Sequence, residues 1–241
     1  MTVLSIIVPA YNEGKTIRKV LNTVKKVPLE KYGVKKEIIV VSDGSKDNTV
    51  KEARKVTGVK VIDNKINQGK GGAVRDGIKH ATGDIIIIQD ADMEYNPYEY
   101  YDIIRPILDG KAEVVYGSRF LTTNQQEKNK VFVQKHKNAY SLAFIGGRVI
   151  TFFTNLLFFT HITDEPTGYK CFKSEIIKSI TIENNRFHWE PEVTAKIAKK
   201  KIKIYEVPIS YNPRTFEEGK KIHWRDGVEA IWTLIKYRVK K

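Results

Sequence analysis

The chain has 241 residues, suited to one large domain or two small ones, and 41% of them are hydrophobic, ample for a packed core. Its 42 Lys and Arg against 28 Asp and Glu give a formal charge of +14, which favours an anionic partner: nucleic acid, phosphorylated small molecules or an acidic membrane surface. A single cysteine, Cys171, excludes an internal disulfide and fits a reducing compartment, and the five histidines are scattered without zinc-like spacing.

In chain order, Val3–Val8 is an apolar strand, and the turn Tyr11-Asn12-Glu13-Gly14 follows it. Asn12 and Glu13 interrupt that apolar run, so it does not read as a signal peptide. Thr16–Val27 has helical periodicity, Glu37–Val41 is a second strand, and Asp47–Val56 reads as a helix capped by Ser45 or Asp47. Val59–Ile62 is a third strand, Gly69–His80 a helix opened by glycine, and Asp84–Ile88 the fourth strand. Asn96–Leu108 is helical and Glu113–Tyr116 is another strand. Strands alternating with helices predict crossover connections and a mostly parallel α/β sheet.

The second half is less regular. Thr122–Asn138 is polar and basic and reads as a loop. Leu142–Phe159 is an apolar helix, but Arg148 near its middle makes a membrane span costly. A helix lying in a membrane interface, or a core helix, fits better. Helix Glu190–Lys200, strand Ile202–Val207, loop Pro213–Lys221 and amphipathic helix Asp226–Tyr237 complete the chain, with no repeat and no linker that would divide it.

The chemistry concentrates where the fourth strand ends. Four consecutive isoleucines read as a strand buried on both faces, and they run directly into Gln89-Asp90-Ala91-Asp92-Met93-Glu94. Successive side chains on a strand alternate faces, so Asp90 and Asp92 point the same way. Like charges side by side repel, and a divalent cation relieves them: magnesium takes one or two protein carboxylates and fills its remaining positions with water and phosphate oxygens. In open α/β sheets ligands bind beyond the carboxyl ends of the strands, where this pair falls.

Other short motifs fall at strand ends in order. Val8-Pro9-Ala10-Tyr11-Asn12-Glu13 closes the first strand, Ser42-Asp43-Gly44-Ser45 the second, and Gly117-Ser118-Arg119-Phe120 the fifth. Asn67-Gln68-Gly69-Lys70-Gly71-Gly72-Ala73 opens the third helix. Together with Asp90-Ala91-Asp92 these motifs closely resemble family-2 glycosyltransferases with the GT-A fold. Within that family the chain resembles the polyprenyl-phosphate sugar synthases of the dolichol-phosphate-mannose synthase type. The resemblance covers most of the chain and implies one GT-A domain. Residues 1–120 would then be its nucleotide-sugar half and residues 121–241 its acceptor half, with an interfacial helix at about 142–160.

The resemblance also assigns roles. Pro9, Ala10, Tyr11, Glu13 and Asp43 match nucleoside-binding segments, although Ser42 stands where many members carry a further acidic residue. Lys70 approaches the diphosphate. Asp92 and Asp90 match the metal-binding motif for magnesium or manganese, with Asp90 and Ala91 also on the donor, and Glu94 completes the metal shell. Arg119 matches the arginine expected to hold an acceptor phosphate, which its guanidinium suits by bidentate geometry. Arg148, His136 and Lys137 are candidates for a second acceptor cation. Thr163–Lys170 resembles the segment closing the acceptor side. Glu190 occupies the region of the catalytic carboxylate, as a general base for a hydroxyl acceptor or, for an ionised phosphate, only as an orienting group. Arg214 and Lys220 resemble a basic loop that folds over the donor phosphates.

The function this implies is inverting transfer of a hexose from a GDP- or UDP-sugar to a polyprenyl phosphate, by an enzyme held peripherally at the cytoplasmic face of a membrane. Transfer to a glycan or other hydroxyl is the alternative. A sugar-phosphate nucleotidyltransferase fits less well, because Val8–Gly14 lacks the Gly-rich, Arg-containing loop expected after the first strand. A nucleic-acid-binding protein is suggested by charge alone, without any helix-turn-helix, zinc-finger or aromatic RNA-binding motif.

Overall fold

The computed structural model describes residues 1–121, 140–214 and 224–240. The loop expected over Thr122–Asn138, with His136 and Lys137, lies outside the described residues, as do Lys220 and the rest of its loop beyond Arg214.

Seven strands form one sheet in the order β3-β2-β1-β4-β6-β5-β7. They are β1 Thr2–Ala10, β2 Val34–Asp43, β3 Val59–Asn64, β4 Ile85–Ile88, β5 Val114–Ser118, β6 Lys170–Lys173 and β7 Ile204–Pro208. Pairing is parallel throughout except at β6, which runs antiparallel to both β4 and β5. The expected α/β sheet with GT-A-like layering is therefore present, and it is mixed rather than purely parallel.

The helices of the first half are α1 Ile17–Lys26, α2 Thr49–Arg54, α3 Lys70–His80 and α4 Tyr100–Leu108. Those of the second half are α5 Tyr140–Phe158, α6 Ser174–Lys178, α7 Trp189–Lys199 and α8 Trp224–Val239. Strand alternation divides the apolar side chains between two layers. Ile85 and Ile87 of β4 join Leu4, Ile6 and Val8 in one core, while Ile86 and Ile88 join Ile7, Val74 and Trp189 in the other. This double burial is why β4 reads as an unbroken apolar run.

Register brings the functional ends together. Ala10 of β1 lies beside Ser42 of β2, and Ile7 beside Ile88 of β4, so the turns after β1, β2 and β4 open on one edge of the sheet.

Three local expectations are refined. The helix read over Asn96–Leu108 starts as a 3-10 turn, Pro97–Glu99, with the Asn96 side chain accepting from the Tyr98 amide at 3.1 Å. Asn48 occupies the N-cap position of α2, while the neighbouring Asp47 carboxylate accepts from the Thr49 amide at 2.9 Å. Strand β6 and helix α6 did not stand out by periodicity. Lys170 sits fully buried in β6, so polarity there hides a central strand.

Candidate active site

Backbone strain shapes both acidic turns at the open edge. Asn12 and Met93 adopt positive φ, 53° and 67°, a left-handed conformation that costs a non-glycine residue of order 1–3 kcal/mol. Met93 separates Asp92 from Glu94, and the Glu94 amide donates back to the Asp92 carboxylate at 3.1 Å. Asn12 stands between Tyr11 and Glu13, its amide donating to Ser45 Oγ at 3.1 Å and its side chain accepting from the Lys46 amide at 2.9 Å. The turn after β1 is thereby tied to the turn after β2.

Three charged groups result. In the first, Arg214 bridges three carboxylates. Its guanidinium reaches Glu13 at 3.1 and 3.2 Å and Asp92 at 3.2 Å, and it stands 3.8 Å from Glu94. The Arg214 amide also donates to Glu94 at 2.9 Å, and Tyr211 donates its hydroxyl to the other Glu94 oxygen at 2.6 Å. Burial, reinforced by the negative charges of Asp90 and Glu94, pushes the Asp92 carboxyl up to about 7, against the opposing pull of Arg214.

In the second, Lys70 at the start of α3 links the acidic turn to α7. Its Nζ lies 2.8 Å from Asp90 and 2.9 Å from Glu190. Although burial opposes charge on this amine, the two carboxylates raise its pKa and hold it as ammonium. Gly69, at φ 98°, lets this segment approach the chain before α7: a Cβ there would come within 2.6 Å of the Asn185 carbonyl. Gly168 plays a similar part beside Asp90, where a Cβ would lie 2.4 Å from the carboxylate.

In the third, Arg119 is clamped by buried Asp164. Two guanidinium nitrogens donate to the two Asp164 oxygens at 2.7 Å each, and the Arg119 amide adds a bond at 2.9 Å. Asp164 raises the Arg119 pKa despite burial. The guanidinium also lies 5.0 Å from the ring centroid of Tyr211, whose hydroxyl donates to Glu94, so the Arg119 and Arg214 groups share a tyrosine.

The remaining expected residues fall as follows. Asp43 accepts from the amides of Gln68 and Gly69 at 2.8 and 2.6 Å, so its carboxylate orders the glycine-rich turn. Burial raises its pKa against those bonds. Pro9 and Ala10 end β1, and Tyr11 follows on the same edge. The Ala91 methyl is packed in the core, leaving only its backbone to face a ligand.

Residues not singled out from the sequence complete the walls. Tyr95 accepts from the Gly168 amide at 2.8 Å and stacks on Tyr169 with centroids 4.7 Å apart. Gln89 accepts from the hydroxyls of Tyr100 and Tyr169 at 2.8 and 2.7 Å. Glu165 is fully buried, accepts from Thr194 at 3.0 Å and stands 4.0 Å from the Lys170 ammonium. Burial pushes Glu165 up to about 7, more than the lysine charge draws it down, and lowers Lys170. The run of tyrosines and the paired acids of Thr163–Lys170 were visible as residues; their partners, distant in sequence, were not.

Among the described residues no three His, Cys, Asp or Glu side chains converge into a closed metal cage. The donor set nevertheless fits a hard cation of the magnesium type, which needs only one or two carboxylates when a diphosphate and water supply the rest. Asp92 and Asp90 would hold it, with Glu94 beside them. Asp90 and Glu94 flank Asp92, and the cationic Arg214 is placed against Asp92 and Glu94, so positive charge already sits beside these carboxylates.

A mixed sheet with an acidic turn after β4 and a carboxylate at the head of α7 fits the GT-A arrangement expected from the sequence. The family model "Glycosyl transferase family 2" matches residues 5–181, and the chain belongs to that family. It is similar to the UDP-N-acetylglucosamine–dolichyl-phosphate N-acetylglucosaminyltransferase of Methanococcus voltae, 30% identical over 225 residues that cover 85% of this chain and 83% of the relative. The dolichol-phosphate mannosyltransferase of Pyrococcus furiosus is 28% identical over 90% of this chain, which spans 58% of that relative's length. Among solved structures, glucosyl-3-phosphoglycerate synthase from Mycobacterium tuberculosis, in complex with Mn2+, UDP and phosphoglyceric acid, superposes with a TM-score of 0.70 at 19% identity. That match covers 99% of this chain and 79% of the other.

Proposed function

We propose that this glycosyltransferase moves a hexose from a nucleotide sugar to the phosphate of a polyprenyl phosphate at an anionic membrane surface. The observation that carries the reading is the meeting of Glu13, Asp92, Glu94 and Arg214 at the strand ends, next to the Lys70 bridge between Asp90 and Glu190. The dolichyl-phosphate relatives and the solved structure with Mn2+ and UDP support it.

The nucleoside lies over the turns after β1 and β2, near Tyr11, Glu13 and Asp43. Asp90 and Asp92 are the residues that would hold magnesium or manganese. A divalent ion bound there offsets the charge that develops on the departing nucleoside diphosphate. Arg214 exchanges its carboxylate partners for phosphate oxygens, and Lys70 stays charged at the rim of the same site. Arg119, oriented by Asp164, presents a guanidinium edge to the acceptor phosphate. An oxygen of that phosphate attacks the anomeric carbon from the face opposite the leaving group, and configuration inverts.

Transfer to a hydroxyl is the second reading, and the placement of Glu190 favours it. That carboxylate at the head of α7 would take the hydroxyl proton, with Lys70 holding it in position.

The test is a melting-temperature panel of UDP- and GDP-sugars with and without manganese, followed by transfer assays on polyprenyl phosphate, phosphoglycerate and simple glycans. A true donor stabilises the fold by mass action. Metal-dependent stabilisation by one nucleotide sugar, with turnover on the lipid phosphate, is expected. Stabilisation with turnover only on a hydroxyl acceptor selects the second reading, and no response to any donor removes both.

A further inference from the structure

Helix α7 meets the glycine-rich turn twice. The first meeting is direct, through Glu190 and Lys70. The second runs through Glu192, a carboxylate that the transfer chemistry does not use. Glu192 stands two residues after Glu190 in the first turn of α7 and is fully buried. Every group bonded to it is a donor. The Glu183 amide and Lys196 Nζ reach one oxygen at 2.8 and 2.6 Å. The backbone and side-chain amides of Asn184 reach the other at 2.8 and 2.9 Å. The Tyr237 hydroxyl of α8 is shared between Glu192 at 3.0 Å and Glu183 at 3.1 Å. A carboxylate enclosed in this way touches no substrate. What it holds is the backbone of residues 183–186, folded back on α7.

That segment is the floor of the glycine-rich turn. The Asn185 carbonyl accepts from the Gly72 amide at 3.0 Å. One nitrogen of Arg75 donates to the side chains of Gln68 and Asn185 at 3.1 and 2.9 Å, and another donates to the Ile182 carbonyl at 3.2 Å. A Cβ on Gly71 would overlap the Asn184 carbonyl, so turn and segment meet backbone to backbone. Lys70 lies within this contact, and its ammonium reaches Asp90 and Glu190 from there.

We propose that Glu192 is a positioning residue for transfer: by bracketing residues 183–186 against α7 it fixes the glycine-rich turn, and with it the place of the Lys70 ammonium between Asp90 and Glu190. Its part in transfer rests on the nucleotide-sugar reading; the bracket itself does not. Glutamine at this position keeps the shape and loses the chemistry. Its amide offers one acceptor oxygen and an NH2 group, and whichever way it turns the NH2 faces donors. The bracket therefore loosens in either orientation.

Two measurements test this. Hydrogen exchange needs no ligand. In Glu192→Gln the amides of residues 69–73 should exchange about tenfold faster relative to those of β1 and β4, through local opening of the turn. Unchanged relative exchange overturns the bracket. The second measurement is a double-mutant cycle of turnover, Glu192→Gln against Lys70→Met, with manganese, the UDP- or GDP-sugar that stabilises the chain and the acceptor it uses. Glu192→Gln alone should lower kcat about tenfold or more, the scale of a small misplacement at a remote position, with acceptor KM within about twofold. In the Lys70→Met background it should cost less than about twofold, because its route to the site is already cut. Losses that multiply, or an unchanged kcat in the single variant, overturn the positioning role, since a purely structural defect does not act through Lys70. Should Glu192→Gln fail to fold, Glu192→Asp, which keeps the charge and draws the carboxylate back by one methylene, takes its place in both measurements. Faster exchange in a protein without turnover on any nucleotide sugar sinks the transfer reading alone, and turnover with unchanged exchange sinks the bracket alone.

Discussion

The Arg214 guanidinium lies 3.2 Å from the Asp92 carboxylate, 122 positions earlier in the chain, and the same group spans to Glu13 and Glu94. An internal cation therefore stands where the acidic turn is most repulsive.

Replacing Arg214 with alanine leaves those carboxylates facing one another. The group is only half-buried, so we expect a modest loss of stability, about 1 kcal/mol. Manganese should then raise the melting temperature of the variant by more than it raises that of the unsubstituted chain, because the competing cation is gone. Donor affinity should fall about tenfold if the arginine also binds the diphosphate. Calorimetric melts with and without manganese decide the first point, and identical metal shifts would refute it.

Asp92→Asn removes charge from the carboxylate that burial already resists ionising. The manganese-dependent part of nucleotide stabilisation should vanish, while metal-free stability holds or rises slightly. Retention of the full manganese effect would remove Asp92 from the metal assignment.

How much of this was legible depended on sequence distance. The doubly buried β4 and the acidic turn after it could be read directly, because four isoleucines and two aspartates need only local geometry. The motifs at the ends of β1, β2 and β5 could be ordered along the chain, and register then placed the first two on one edge beside the acidic turn. The partners could not be read. Arg119 is held by Asp164 and Lys70 by Glu190, pairings that depend on the tertiary path of α5 and α7. Strand β6 stayed hidden because burial of Lys170 depends on the Tyr116 ring 4.0 Å away and on the Glu165 carbonyl, neither visible to a hydropathy pattern. Met93 likewise gives no compositional sign of its left-handed backbone.

Arg119→Lys keeps the charge but loses the fork that meets both Asp164 oxygens. Acceptor KM should rise about tenfold with donor KM little changed. Asp164→Asn leaves a buried arginine without its counter-charge and should cost about 3–5 kcal/mol, a large part of a typical domain's stability. Steady-state kinetics with each substrate varied in turn tests the first, and denaturant unfolding the second. Equal loss of donor and acceptor affinity in Arg119→Lys would count against an acceptor role.

Lys70→Met cuts the tie between Asp90 and Glu190 and removes a cation kept charged by both. Turnover should fall about a hundredfold, the scale for loss of one preorganised electrostatic group. A variant with turnover near the unsubstituted level would reduce Lys70 to a structural brace.

Glu165 supplies a pH signature. Its carboxyl is fully buried and its folded pKa is raised to about 7 from 4.5, chiefly by desolvation. Below pH 4.5 it is protonated in both folded and unfolded chains and costs nothing. Between 4.5 and 7 the unfolded chain releases this proton while the folded chain keeps it. Stability therefore falls with rising pH, by up to about 1.4 kcal/mol per unit, and levels off above 7. Glu165→Gln carries a neutral side chain at every pH, so this slope should disappear. Its absolute stability is a poorer readout, because one buried Glu165 oxygen has no hydrogen-bond partner and an amide turned there would be unsatisfied. Urea unfolding at pH 5, 6, 7 and 8 should show the stability gap between variant and unsubstituted chain shifting in the variant's favour by roughly 2 kcal/mol or somewhat more across the range. A gap that stays constant with pH would mean that Glu165 is already ionised in the folded protein and that Lys170 neutralises it as a buried ion pair.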